Sequence, residues 1–328
     1  MSNNNVYPFE TPSFQSLWWA HLSAKFDIPY RHHDVLVYRK SFLNGLLKLK
    51  EARLAGWNCA WSQDLTAERI QQLHDMSRAY GWDYFRMTWS TARHANQQFD
   101  ALKSLGYEYA SIPAPPQYVV TMPDGYEAYL AGLSHNSRKN LKKKVRKALP
   151  SEPQFDCVTK AEDVAPFMEE VFSYHIPYWT EKAGYSYYSD PKERQFTLAW
   201  TASLFESGHL VLERLRMKGE TVNLSVGMRY GEVFYWLLTI NTGRQADTAP
   251  GIVGLALRLE QLSLAGVTRV NMGTGDYFYK EQCANELETN QEIIVINPHS
   301  PKGRLYKHWM QYQENKKARG QSLAMKMR

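Results

Sequence analysis

The chain has 328 residues, of which 44% are hydrophobic, with 10 Trp, 21 Tyr and 13 Phe; this excludes a disordered chain and supplies enough apolar material for about two domains. Its three cysteines, Cys59, Cys157 and Cys283, are widely separated and odd in number, which excludes a disulfide framework and a paired-cysteine metal site and fits a reducing, cytoplasmic compartment. The net charge of +6 suits an anionic partner without choosing one, and there is neither a signal peptide nor an apolar run near the roughly 18 residues of a spanning helix.

In chain order, Phe14 to Lys25 reads as a short aromatic helix, and His33 to Lys40, Leu43 to Leu49 and Gly56 to Trp61 read as strands. Ile70, Leu73, Met76 and Tyr80 recur at helical spacing over Thr66 to Tyr80, which Gly81 ends. A strand over Asp83 to Met87, a helix over His94 to Leu105, and two strands, Tyr107 to Ile112 and Tyr118 to Met122, follow, with the stiff linker Pro113-Ala114-Pro115-Pro116 between the last two. Asp124 suits the cap of a helix carrying Tyr126, Tyr129, Leu130 and Leu133.

Ser137 to Leu149 carries seven positive charges (Arg138, Lys139, Lys142, Lys143, Lys144, Arg146, Lys147) and no acid. Leu141, Val145 and Leu149 recur every four residues, so one stripe packs and the rest is basic. A charge run is usually a solvated face, but so one-signed a block repels itself unless an anion lies nearby; phosphates of a substrate, RNA or anionic lipid would each serve. Next come a strand near Phe155 to Thr159, helices over Asp163 to Tyr178 and Lys192 to Glu206, and three strands, His209 to Met217, Thr221 to Arg229 and Val233 to Ile240, turned by Gly219-Glu220 and Gly231-Glu232. A helix over Ile252 to Ala265, a strand over Arg269 to Met272, a strand over Glu292 to Ile296 and a helix from Pro301 complete the reading. Leu73 to Met87 and Leu255 to Met272 share the order helix, glycine, strand, which suggests two copies of one unit, 1–123 and 124–328.

The chemistry concentrates near the end. Pro250-Gly251-Ile252-Val253-Gly254 opens a helix whose first N–H groups can accept an anion. The following strand leads into Gly273-Thr274-Gly275-Asp276-Tyr277-Phe278-Tyr279-Lys280, where an acid, a phenol and an amine meet behind a glycine turn. Each has a plainer reading: Asp276 as a helix cap, Gly251 and Gly254 as sites of close helix packing, and Lys280 as a surface lysine. His175, between Tyr174 and Tyr178 on a helix, is more often a packing histidine, although its ordinary pKa suits acid–base work. Neither the cysteines nor His32-His33 has metal-ligand spacing.

Four pieces, in order, carry a resemblance: the basic helix from Leu133 to Leu149, His175-x-x-x-Trp179, the helix start Thr248-Ala249-Pro250-Gly251, and Gly275-Asp276-x-x-Tyr279-Lys280. Together they resemble the GNAT-fold acyltransferases of the FemAB / CelD-like group, and Thr11 to Trp18 resembles that group's N-terminal start. The resemblance implies a mixed α/β (α+β) fold of two tandem GNAT-like units with a cleft between them. It implies an acyltransferase that passes an acyl group from acyl-CoA or another acyl thioester to a small-molecule or peptide amine by direct attack, without metal. Members of the group that use aminoacyl-tRNA make that donor the alternative; a non-catalytic RNA- or membrane-surface-binding module is a third reading. On this resemblance Lys280, Asp276, Tyr279 and His175 are the catalytic candidates, and Gly251, Ile252, Val253, Gly254 and Arg138 hold the donor. The loop departs from the Q/R-x-x-G-x-G/A pattern of acetyl-CoA users, since only Pro250-Gly251-x-x-Gly254 stands there. A peripheral membrane contact and either a monomer or a homodimer fit; DNA is not expected.

Overall fold

The computed structural model describes residues 8–28, 30–32, 35–54, 67–91, 102–275 and 278–326. The described residues form a mixed α+β protein, and the chain divides into two compact units, Pro116–Glu288 and Tyr7–Pro115 joined by Thr289–Arg328. This grouping differs from the expected division into 1–123 and 124–328. The reason is strand pairing: the last strand of the chain is hydrogen-bonded to a strand near residue 90, not to its neighbours in sequence.

In the discontinuous unit, β1 (Tyr30–His32), β2 (Val35–Phe42) and β3 (Leu47–Leu54) are antiparallel neighbours. The helix α2 (Ala67–Ala79) leads to β4 (Tyr84–Thr91), which runs parallel to β3. The antiparallel partner on the other side of β4 is β11 (Glu286–Ile296). One face buries Val35, Val37 and Phe85 with Leu73 and Met76 of α2; the other buries Leu49, Tyr84 and Ile294 with Tyr306 and Met310 of the last helix. That helix enters over Gly303, where a Cβ would overlap the Asp83 carbonyl, so no larger residue fits. The N-terminal helix α1 (Pro12–Leu22) is capped by Thr11 and buries Phe14, Trp18 and Leu22.

The unit Pro116–Glu288 repeats this order. β7 (Leu210–Met217), β8 (Glu220–Tyr230) and β9 (Val233–Asn241) form an antiparallel meander, with the short β6 (Gln154–Cys157) on β7. After β9 comes a helix, and then β10 (Arg269–Asn271), parallel to β9. β5 (Glu108–Thr121) lies antiparallel on the far side of β10. The helices are α3 (Tyr126–Gly132), α4 (His135–Ala148), α5 (Val164–Ala183), α6 (Pro191–Glu206), α7 (Pro250–Leu264) and the six-residue α8 (Phe278–Cys283); α9 (Pro301–Lys326) belongs to the other unit.

Several expectations change. Leu43 to Leu49 is not a strand throughout: Leu43–Leu46 is the turn of a β2–β3 hairpin, with Leu43, Asn44 and Gly45 at positive φ, a conformation that Asn-Gly signals and leucine resists. The two strands expected either side of Pro113–Pro116 are one, because fixed proline φ angles are compatible with extended backbone. β1 was not expected, being three residues long and too short to show a period, and α8 was foreshadowed only by the reading of Asp276 as a helix cap. The expected strand Gly56 to Trp61 and most of the expected helix His94 to Leu105 lie outside the described residues.

Candidate active site

The site is built where two parallel strands part. β10 pairs with β9 only through Arg269↔Val233, Val270↔Phe234 and Asn271↔Tyr235. Beyond Tyr235, β9 continues to Asn241 without β10, so the strands diverge at their C-terminal ends, the edge at which parallel α/β sheets hold ligands. Both segments singled out in the sequence leave from this edge. The chain after β9 enters α7 at Pro250, and the chain after β10 turns through Gly273–Gly275 towards Lys280.

On the diverging part of β9 the ladder with β8 steps from Val226↔Leu238 to Gly227↔Trp236. Leu237 is therefore an extra residue, a β-bulge of the kind that re-aims backbone groups next to active sites. Gly227 is required there because a Cβ would fall on the ring of buried Phe234.

Under the start of α7 lies a buried polar network. Asn223 Nδ2 donates to Thr239 Oγ1 at 3.0 Å and to Asn241 Oδ1 at 2.8 Å. A Cβ on Gly251 would stand 3.1 Å from the Asn241 amide, and one on Gly254 3.2 Å from Leu215. Both glycines therefore let α7 sit close on the sheet, the plainer of their two readings, and this closeness also sets the height of the helix N-terminus. No side chain caps that terminus, and Gln245 and Ala249 before it are both left-handed, at φ 47° and 54°, strain of a kind that collects at functional loops. Ile252 packs in the core shared with Leu141, Leu255 and Tyr279, and Val253 in the core beside Leu215 and Ala148. Mid-helix, Arg258 Nη1 meets buried Glu213 Oε1 at 2.7 Å, pinning α7 to β7. The Cys157 thiol donates to the same oxygen and, chiefly through burial, has its pKa pushed up to about 11, so it stays a thiol.

Lys280 is only 6% exposed, and its Nζ donates to the Thr274 carbonyl at 2.6 Å. Burial lowers its pKa to about 8, so it is still mostly an ammonium at neutral pH. The turn ahead of it is held by buried Asn271, whose Oδ1 accepts from Gly273 N at 2.8 Å while its Nδ2 donates to Gln117 Oε1 at 2.6 Å. The Tyr129 hydroxyl donates to the Cys283 carbonyl and Asn140 Nδ2 to Gln282 Oε1, fastening α8 to α3 and α4. Asp276 lies outside the described residues.

The basic helix α4 runs along this side of the sheet. Ser134 caps it, and Leu141 and Ala148 point inward. Its last turn reaches the loop into α7, where Lys147 Nζ donates to the Asp247 carbonyl at 2.8 Å. Lys139, Lys142, Lys143 and Arg146 are exposed and, among the described residues, meet no carboxylate. Arg138 is half-buried and spends one donor on the Ala131 carbonyl at 3.0 Å.

His175 is placed elsewhere. Its helix packs on Leu212, Leu224 and Val226, whereas α7 covers Leu215 and Asn223; alternating residues face opposite sides of a strand, so His175 lies across the sheet from α7. Its Nδ1 meets Ser186 Oγ at 3.0 Å, and its ring packs against Tyr188. Burial lowers its pKa to about 4. The unfolded chain then binds a proton between pH 6.5 and 4 that the native chain does not, so stability falls as pH drops through that window. Melting curves should show His175→Gln losing this acid sensitivity, worth up to about 3 kcal/mol; an unchanged pH slope would refute it.

Residues 135–281, from the start of α4 to the residue after Lys280, match the acetyltransferase (GNAT) domain family. No curated protein matches the chain in sequence. In structure, the chain is similar to FemX (12% identity, 89% of this chain and 94% of that one, TM-score 0.56). It is also similar to L-PGS from Bacillus licheniformis (10% identity, 90% and 94%, TM-score 0.54) and to a conserved protein from Bacteroides thetaiotaomicron (13% identity, 87% and 89%, TM-score 0.52). Among the described residues no cluster of His, Cys, Asp or Glu could hold a metal, and no helix is long and apolar enough to cross a membrane. With parallel strands parting over a helix start that no side chain caps, and with the match bounded by the basic helix and Lys280, residues 135–281 carry an acetyltransferase (GNAT) domain in a chain whose fold is similar to that of FemX.

Proposed function

We propose that this domain passes an acyl group from an acyl thioester to an amine. The observation that carries the reading is the buried Lys280 ammonium, anchored on the Thr274 carbonyl in the turn by which the chain leaves β10. An amine nitrogen attacks the thioester carbonyl carbon, the C–N bond forms, the C–S bond breaks, and the proton lost by the amine leaves with the thiol. Negative charge gathers on the carbonyl oxygen on the way, and a positioned ammonium and the backbone around the Leu237 bulge suit that charge. The positive end of α7 at Gly251 suits the donor's phosphates, although the Ile252 and Val253 amides already donate to the Ala249 carbonyl, and the Asn223–Asn241 network lies beneath it. Tyr279, packed beside Ile252, would wall the acyl group. Arg138 and Asp276 keep the donor-binding and acid–base roles implied by the resemblance.

One observation favours aminoacyl-tRNA as donor instead: the row Lys139, Lys142, Lys143 and Arg146, exposed on α4 and without acid partners among the described residues. Melting the protein against coenzyme A, a long-chain acyl-CoA and bulk tRNA separates the two. A thioester user should gain about 2–3 kcal/mol at a hundredfold excess of acyl-CoA over its Kd, with weak salt response. A tRNA user should respond to tRNA alone, and affinity should drop about tenfold or more between 50 and 200 mM salt. Silence from all three ligands would remove both readings.

A further inference from the structure

The unit formed by Tyr7–Pro115 and Thr289–Arg328 carries a surface that the transfer chemistry does not use. The β2–β3 hairpin ends in Leu43-Asn44-Gly45-Leu46, and Leu46 is 89% exposed. A leucine at the tip gains nothing from folding, and Leu43 beside it holds φ at 50°, which costs a non-glycine residue free energy. Next to the hairpin, α9 turns Tyr306 and Met310 inward but leaves Leu305, Trp309 and Tyr312 exposed. Their spacing of four and three residues sets them in one stripe. Phe42 joins the two elements, with its ring centroid 4.8 Å from Trp309 and 5.4 Å from Tyr306. Phe42 thus ties the base of the exposed turn to the exposed stripe, and exposed apolar residues grouped in this way mark an interaction surface.

The charges around it have one sign. Residues 39–50 and 301–313 contain eight basic side chains counting His308, and no Asp or Glu. Three acids near these segments are engaged by them, Asp27 with Arg39, Glu51 with Lys40 and Glu108 with Lys307, and Glu314 follows the second segment in sequence. Lys48 and Lys302 are exposed and form no ion pair among the described residues, while Arg304 and His308, also exposed, help Lys307 hold the Glu108 carboxylate in its charged form. Leucines at a protruding tip, Trp and Tyr behind them, and unpaired cations flanking both form the composition that seats in the headgroup region of an anionic bilayer. Nucleic acid would use the cations but leave the leucines in water.

We infer that the Leu43–Leu46 turn and the Leu305/Trp309/Tyr312 stripe dock this protein on an anionic phospholipid surface. The test is co-sedimentation of the full chain with vesicles of phosphatidylcholine alone or with about 30% phosphatidylglycerol. Binding is expected to the second only, weakening about tenfold between about 50 and 500 mM salt. Leu46→Asp should cut partitioning about tenfold with an unchanged melting temperature, and Trp309→Phe should remove a vesicle-induced blue shift in fluorescence. Absence of binding, or binding that Leu46→Asp leaves intact, overturns the inference. So does a concentration-dependent dimer that Leu46→Asp dissolves, since the patch would then join two copies. Donor-induced melting shifts should be identical in Leu46→Asp and wild type, so this inference and the acyl-transfer reading stand or fall separately.

Discussion

Lys280→Met should lose at least about a hundredfold in turnover and at the same time melt higher than the wild type. The two effects share a cause. Burial lowers the Lys280 pKa from 10.5 to about 8, so holding its ammonium inside the fold costs up to about 3 kcal/mol at neutral pH. Methionine has nearly the same shape and no charge, and its gain should be about 1–3 kcal/mol, or about 3 °C per kcal/mol for a unit of this size. The pH dependence separates this from a packing effect. Between about pH 8 and 10.5 the unfolded chain holds the proton and the native chain does not, so wild-type stability rises with pH there, and the gap to Lys280→Met should close. A variant less stable than wild type at pH 7, or a folded one with full turnover, would take Lys280 out of the reacting centre. A residue that weakens its fold in order to be charged where it sits is typical of a functional site.

The second large effect is on the fold beneath the site. Gly227→Ala should destabilise the protein by about 3 kcal/mol, because the new methyl group would fall on Phe234, a fully buried ring packed edge-on to Trp236. Gly227 is the residue at which the β8–β9 register shifts, so relief by backbone movement would also flatten the bulge and should lower turnover. Phe234→Leu in the Gly227→Ala background should recover part of the loss, giving a coupling of about 1 kcal/mol or more in a double-mutant cycle. A cost below about 0.5 kcal/mol for Gly227→Ala, or strict additivity, would show that the ring moves freely.

The periodic parts of the chain were legible. The meander β7–β9 and the helix after it follow directly from their apolar spacing; in the basic helix Leu141 is buried as its four-residue spacing suggests, but Leu149 is exposed and Ala148 takes the inward place. Three features were not legible. Asn223, Ser225 and Gly227 alternate with Leu224 and Val226, which looks like an ordinary strand with its polar face in water; only the fold shows α7 covering that face. The signal was present, since Thr239 and Asn241 repeat the alternation on the next strand, but local pattern cannot say which side is covered. The bulge at Leu237 depends on the register between two strands, which neither strand's sequence contains. His175 misleads in the opposite way: its residue type invites a catalytic role, and the face of the sheet its helix covers decides otherwise. The pairing of β11 with β4 was illegible for a related reason, since about two hundred residues separate them and contacts at that range carry no local mark.

That pairing has a consequence for how the protein is made. A ribosome releases the segment 7–115 first, but Ile293 and Val295, which close one side of its core, and Ile294, Ile296, Tyr306 and Met310, which close the other, are made about two hundred residues later. Until they emerge, β4 is an open edge on the side away from β3, with Tyr84 lacking Tyr306 and Met310, an invitation to the wrong partner. Pro116–Glu288, by contrast, has β6 to β10 and their partner β5 in hand before those residues are made. The portion born second is thus able to fold first, and the portion born first has to wait for the tail, which makes the nascent chain, rather than the finished protein, the state most exposed to aggregation.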